Sequence, residues 1–236
     1  MFLMEKGQIK SKLRSLRRKN WPRWLVVLTN ILFWCFLSVC IISAAMSCIF
    51  IKTPVSGRSM QPTINAFYVD GDINCDTVLI NRLNKGGRGD IVVLKKEENT
   101  PIVKRLIAIG GDMIGFEIDG NQINTMVIEK GKTEPTVVES RPYDEMIATY
   151  RMFYNLPQAE NSFRRIGGVT YLLIDHDDVF YLGDNRPESR DCSEYGPMSK
   201  DLIIGKVVKV IGYNQNVFAE SFKFYFWAFA NWFVGR

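Results

Sequence analysis

The longest unbroken apolar stretch in the chain, residues 25–51, carries no charge and is interrupted only by Thr29, Asn30 and scattered Ser and Cys. As a helix rising about 1.5 Å per residue it reaches roughly 40 Å, more than the ~30 Å hydrocarbon core of a bilayer. A cleaved signal peptide has a shorter apolar region of about 7 to 15 residues, so the run predicts an uncleaved anchor over residues 24–51. Downstream the pattern changes to short runs rich in β-branched residues. Residues 76–81, 90–94 and 101–109 predict strands, with glycine-rich turn chemistry at 84–89 and Gly110-Gly111-Asp112 closing the third. Residues 115–118 and 122–124 flank Asp119-Gly120-Asn121, a strong hairpin signal.

From Thr125 to Gly168 the pattern loosens into charged, poorly periodic segments, which predicts a smaller, variable β-rich insertion over about residues 113–168. Strand character returns at 169–174, 179–182 and 202–211. Many short strands and no long soluble helical pattern predict a mostly β fold, an antiparallel β domain over residues 52–216. Residues 217–236 form a separate tail crowded with Phe222, Phe224, Tyr225, Phe226, Trp227, Phe229, Trp232 and Phe233. Its uncharged run from Phe224 covers only about 18 Å as a helix, too short to span, so an interfacial segment at the membrane surface is expected, with a helix docked on the domain as the alternative.

Charge sharpens the topology. Of the net +5, much lies in Lys6, Lys10, Lys12, Arg14, Arg17, Arg18, Lys19 and Arg23, directly before the apolar run. That placement reads as a cytoplasmic flank over 1–23 with residue 52 onward across the membrane, and not as a nucleic-acid footprint. The length of 236 residues and 47% hydrophobic content fit one domain of moderate size plus appendages. Cys35, Cys40 and Cys48 fall in the anchor and no zinc-like spacing exists. Cys75 and Cys192 are the two outside it, and a disulfide between them would fit an oxidising compartment, though their separation is weak ground for pairing.

Three stretches hold candidate chemistry. Ser59 lies in Ser-Gly-Arg-Ser-Met-Gln-Pro-Thr, a Gly/Pro turn that suits either a nucleophile or an ordinary surface loop. A hydroxyl nucleophile needs a base, and the single histidine, His176, sits in the hydrophilic turn Asp-His-Asp-Asp, where acids keep an imidazole protonated. Lys104 lies in an apolar strand; as a base it must lose its proton, which requires a fall from ~10.4 to nearer 7 through desolvation. The third stretch, residues 180–196, is a strand ending in a polar loop whose Asp184, Asn185, Ser189 and Asp191 can hold a lysine amine or orient backbone around it.

Together with Arg-Gly-Asp-Ile-Val-Val at 88–93, Val-Lys-Arg at 103–105, Gly-Gly-Asp at 110–112 and Gly-Asp-Asn at 183–185, these stretches resemble the type I signal peptidase family over about residues 23–210. The resemblance implies a membrane-anchored serine endopeptidase with Ser59 as nucleophile, Lys104 as general base, Ser189 orienting the amine and Asp191 supporting the loop. It implies apolar pockets lined by Val55, Met60, Ile64 and Val103, exported preproteins with their signal peptides as substrates, contact with membrane lipid, and no metal or organic cofactor. Three departures from the family pattern stand out. Gly57 replaces a serine that some members use in the oxyanion hole, which leaves the second donor open. The turn Ile109-Gly110-Gly111-Asp112 lacks the usual proline and is expected to be looser, and the usual arginine after the supporting aspartate is missing. A conjugative pilin-maturation peptidase of the same family and an inactive module that binds signal peptides are the alternatives; oligomeric state stays open.

Overall fold

The computed structural model describes residues 22–71, 74–95, 100–156 and 162–234. The basic segment expected in the cytoplasm therefore lies, except for Arg23 and its neighbour, outside the described residues. Helix α1 runs Arg23–Ile49 with no buried residue. It gives way at Phe50, two residues before the apolar run ends, because Phe50 and Ile51 pair with Asn81 and Ile80 as the start of a strand. The chain separates there into two units, residues 1–48 and 49–236.

The second unit is built on two antiparallel sheets. The first contains β1 (Phe50–Pro54), β2 (Thr77–Asn81), β3 (Ile91–Lys95), β4 (Pro101–Ile109), β10 (Asp178–Leu182), β11 (Met198–Ser199) and β12 (Ile203–Ile211), in the order β1-β2-β12-β3-β4-β10-β11. The second contains β5 (Met113–Asp119), β6 (Gln122–Ile128), β7 (Thr136–Pro142), β8 (Phe163–Ile166) and β9 (Val169–Leu173), in the order β7-β6-β5-β9-β8. Because β4 and β10 are neighbours in the first sheet, the whole second sheet is threaded between two adjacent strands. The two crossings are laced together: Gly111 N–H donates to the Ile174 carbonyl at 2.9 Å and Ile174 N–H to the Asp112 carbonyl at 2.8 Å.

The strands sit where β-branched alternation places them, and the hairpin of β5 and β6 closes with Asp119 opposite Gln122 and Gly120 at φ 57. Two features differ from the sequence reading. The segment read as loose and β-rich contains helix α2 (Tyr143–Tyr154), which buries Met146, Thr149 and Phe153 along one face. Phe153 meets Phe116 and Phe180 edge-on at 4.9 and 5.6 Å, and Tyr143, Met146, Ile147, Tyr150, Phe153 and Tyr154, at helical spacing, make up the face that packs on the core. The Gly110-Gly111-Asp112 turn is also tight. Asp112 is buried and its carboxylate accepts from the backbone of Ile109 (2.9 Å) and Lys130 (3.0 Å) and from Arg88 Nε (2.6 Å). Gly110 has no room for a side chain, since a Cβ there would fall 2.1 Å from the His176 carbonyl.

One apolar core joins the sheets and α2, including Leu106, Ala108, Ile114, Phe116, Phe153 and Phe180. A separate cluster of Val55, Met60, Ile64, Val78, Ile80, Val93 and Val103 fills the space under the β1–β2 connection. Strand alternation puts Val103 in this second cluster and Lys104, with Leu106 and Ala108, on the other face.

Candidate active site

Ser59 lies on the β1–β2 connection, and Asn65 shapes that segment. Asn65 adopts φ 59, a left-handed conformation that asparagine tolerates better than most residues. Its Nδ2 donates to the carbonyls of Val55 and Gly57, and its Oδ1 accepts from Asp76 N–H at 2.7 Å while its own N–H donates to the Asp76 carboxylate at 2.8 Å. The buried Asn65 therefore ties both ends of the Ser59 segment to one point. Gly57 sits at φ 100, a region that disfavours a side chain, which accounts for glycine where a serine could have supplied a donor.

Lys104 is in the middle of β4 and only 3% exposed. Its Nζ donates to Ser189 Oγ at 2.8 Å. The ladder of β10 on β4 ends with Leu182 opposite Arg105, so the next residue, Gly183, comes level with Lys104. That glycine is a spacer: a Cβ on it would lie 2.1 Å from Ser189 Oγ and 2.5 Å from the Ser59 carbonyl oxygen. The Ser59 carbonyl also accepts from Asn185 N–H at 3.0 Å, and Asn185 Nδ2 donates to the Arg58 carbonyl at 3.1 Å. The three stretches singled out in the sequence thus meet around Gly183.

The polar loop divides its work. Asp184 faces Arg105, which binds it through Nε at 2.8 Å and Nη2 at 2.6 Å, and Thr63 Oγ1 donates to it at 2.6 Å. Burial pushes the Asp184 carboxyl upward, yet the hydrogen bonds from Arg105 and then Thr63 outweigh burial and hold it below the ordinary carboxylate value. Asp191, also buried, accepts from Gly183 N–H at 2.9 Å and from Ser193 through N–H (3.1 Å) and Oγ (2.9 Å). Cys192 opens the short helix α3 (Cys192–Tyr195) and is buried, which raises its thiol well above the usual value; it and Cys75 are free thiols.

Sequence reading missed the residues that hold the parts together. Arg105 and Thr63 lock the third stretch to the second and the first through Asp184. The buried Arg186 pairs with Glu139 of β7 at 2.6 Å and donates to the Gly183 carbonyl at 2.8 Å, while Arg141 donates to the Asp184 carbonyl at 2.7 Å. The dense charge of the loop was visible, but Arg141, Arg105 and Thr63, which bind Asp184, are 43, 79 and 121 residues distant. Val55, Met60, Ile64 and Val103 share one cluster, with Met60 and Ile64 wholly buried and Val55 and Val103 each 8% exposed. His176 stands apart, its side chain 75% exposed beside Asp177. Among the described residues no group of His, Cys, Asp or Glu is placed to hold a metal ion.

Comparison with known proteins shows the family. The family described as signal peptidase, peptidase S26, matches residues 28–211. A signal peptidase I of Bacillus caldolyticus is 26% identical over 201 residues, 84% of this chain and 92% of that protein. A signal peptidase IB of Staphylococcus aureus is 29% identical over 163 residues, 67% of this chain and 76% of that one. A solved signal peptidase I from Enterococcus faecalis V583 is 21% identical, covers 52% of this chain and 97% of its own, and has a TM-score of 0.32, too low to bear on the chemistry.

Proposed function

Since the chain belongs to the signal peptidase family, peptidase S26, whose members act as hydrolases on the signal peptides of exported preproteins, we propose that Ser59 and Lys104 are its nucleophile and general base and that α1 anchors it in the membrane. The observation that carries this reading is the buried Lys104 amine, held by Ser189 beside the glycine that separates Ser189 from Ser59. Burial disfavours the ammonium form, and a neutral amine can take the Ser59 hydroxyl proton as Oγ attacks the scissile carbonyl. The proton passes to the leaving amine as the amide bond breaks and an acyl-enzyme forms. Lys104 then takes a proton from water, whose hydroxide releases the signal peptide and frees Ser59.

Substrate binding follows from the ladders. β3 pairs β4 from Pro101 to Arg105, whereas the β10 ladder stops at Arg105. The edge from Pro101 to Lys104 on that side is where an extended substrate adds as a strand, with main-chain hydrogen bonds giving the grip. Val55 and Val103 meet its small side chains at the surface, and Met60 and Ile64 form the floor beneath them. The basic flank of α1 supports an orientation with residues 1–23 in the cytoplasm and the β domain outside.

Cleavage of a preprotein by the purified full chain in detergent tests the assignment. Ser59→Ala and Lys104→Ala should each abolish cleavage, and the double variant should be no worse than either, because nucleophile and base act as one unit. His176→Ala should cleave at the parent rate. A loss in His176→Ala as deep as that in Ser59→Ala would overturn the dyad, and a parent chain that binds but never cuts would make it a binding module.

A further inference from the structure

The last helix, α4 (Val217–Val234), lies beyond the residues that the family matches and has two unlike faces. One face is docked. Glu220 binds Lys209 of β12 at 2.6 Å and Lys223 at 2.7 Å, and these lysines, Lys209 first, hold its carboxyl down at about 2. Ser221 is buried, and the rings of Phe224 and Tyr225 pack on Phe50 with centroids 5.4 and 5.7 Å away. The other face is bare: Phe218, Phe222 and Phe226 are 76%, 64% and 68% exposed, whereas Trp227, three residues on from Phe224 and 6.1 Å from its ring, borders the docked face. A spacing of four residues keeps the three phenylalanines on one strip of the helix.

Three phenylalanines in a row form an exposed apolar strip that soluble surfaces seldom leave in water. What covers it is decided by Phe50. That residue is the first after α1, so one peptide link, a Cα step of about 3.8 Å, ties it to the end of the anchor. Phe50 also packs on Phe224 and Tyr225, so that one link is all the chain between the end of α1 and the residue on which α4 docks. Lys52, whose Nζ is 6.0 Å from the Phe218 ring, and the exposed Lys223 place ammonium groups beside the strip, where lipid phosphates would meet them. Among the described helices only α1 is long and apolar enough to cross, so α4 has the composition to lie along a bilayer and not to span it.

We infer that α4 is a second, peripheral membrane attachment, its Phe218, Phe222 and Phe226 strip sunk in the interface of the bilayer that holds α1. Docking on the domain and contact with lipid, alternatives when only the sequence is considered, belong to opposite faces of one helix. The inference rests on α1 being the anchor, and the test separates the two. The full chain is placed in phosphatidylcholine and phosphatidylglycerol vesicles whose acyl chains carry bromine either near the headgroup or near the methyl end. One variant carries its only indole on the strip, as Phe222→Trp with Trp21, Trp24, Trp34, Trp227 and Trp232 changed to Phe; another keeps only Trp34, inside α1. The strip indole should be quenched chiefly by the shallow bromines, and adding Phe218→Gln and Phe226→Gln should remove most of that quenching. Trp34 should be quenched by bromolipid in every case. If Trp34 is quenched while the strip indole stays open to aqueous iodide, the anchor stands and the inference fails. If the strip indole is shielded from both iodide and bromolipid, protein covers the strip, a second copy included, and the inference also fails. Unquenched Trp34 would remove the anchor itself and the inference with it.

Discussion

Gly183→Ala is the sharpest perturbation the site offers, because it adds one methyl group and removes none of the proposed chemical groups. The new Cβ would stand 2.1 Å from Ser189 Oγ, 2.5 Å from Ser189 Cβ and 2.5 Å from the Ser59 carbonyl oxygen. Reaching even 3.0 Å requires shifts of about 0.9 Å at Ser189 and about 0.5 Å at the Ser59 peptide. If Ser189 turns away it gives up Lys104 Nζ, now at 2.8 Å; if the Ser59 segment moves, it strains the Asn185 N–H contact at 3.0 Å. A misplacement near 1 Å costs about 10²-fold in rate, or ~2.7 kcal/mol of transition-state stabilisation. Overpacking of this kind also costs about 1–3 kcal/mol of stability. Cleavage of a preprotein by the full chain in detergent, at substrate well below KM, should therefore fall about 100-fold or more. The double variant Gly183→Ala/Ser189→Gly clears two of the three contacts but leaves the Ser59 carbonyl at 2.5 Å, so it should regain stability without regaining rate. Gly87→Ala, whose Cβ would meet nothing closer than 4.0 Å, is the control for an added methyl. A Gly183→Ala chain that cuts at the parent rate would show that Ser59 and Ser189 are not set by this spacing.

Two further outcomes follow from the buried charges. Cleavage by the parent should rise with pH through an ionisation below the ~10.4 of a free lysine, and Ser189→Ala, which removes the partner of the Lys104 amine, should lower the rate and move that midpoint without abolishing cleavage; a parent rate still climbing at pH ~10.4 would refute a desolvated base. The Asp112 and Asp184 carboxyls are held below their ordinary value in the folded chain, so the stability they contribute is present above about pH 4 and is lost as the pH falls through their folded values. At neutral pH Asp184→Asn should melt lower than the parent, by about 1.5–3 kcal/mol for a charged hydrogen-bond partner, and the gap should close below pH ~4; a gap that is constant in thermal melts from pH 3 to 7 would contradict the linkage.

Most of the strands and the chemical groups could be read from the chain itself, because each leaves a local trace. An uncharged run too long for a globular helix marks α1, β-branched alternation marks β2, β3, β4 and β12, and Asp-Gly between alternating residues marks the β5–β6 hairpin. Ser59, Lys104 and the Gly183 loop were separately ambiguous and became a set only through their order, which is information a sequence carries. Helix α2 leaves a local trace that is easily passed over among the charges around it, apolar residues at 143, 146, 147, 150, 153 and 154, but its packing of Phe153 on Phe116 and Phe180 joins residues far apart in the chain. The Gly-Gly-Asp turn read as loose for the same reason, since nothing nearby reveals that Asp112 gathers Ile109, Lys130 and Arg88.

What only the tertiary structure decided is which charges answer one another and which face of an element meets water. Asp184 could have held the lysine amine by composition alone, but the β4–β10 register brings Arg105 to it and leaves Ser189 to meet Lys104. Gly57 and Gly183 look alike in the sequence, yet one is glycine for a backbone angle of φ 100 and the other for lack of space beside Ser189 and Ser59. The aromatic tail was legible as unusual from its composition, while its division into a face docked on Phe50 and a bare strip required the helix to be laid against β1. Periodicity and turn chemistry act over a few residues and are written locally; ion pairs, close packing and exposure arise between segments that meet only when the sheets close.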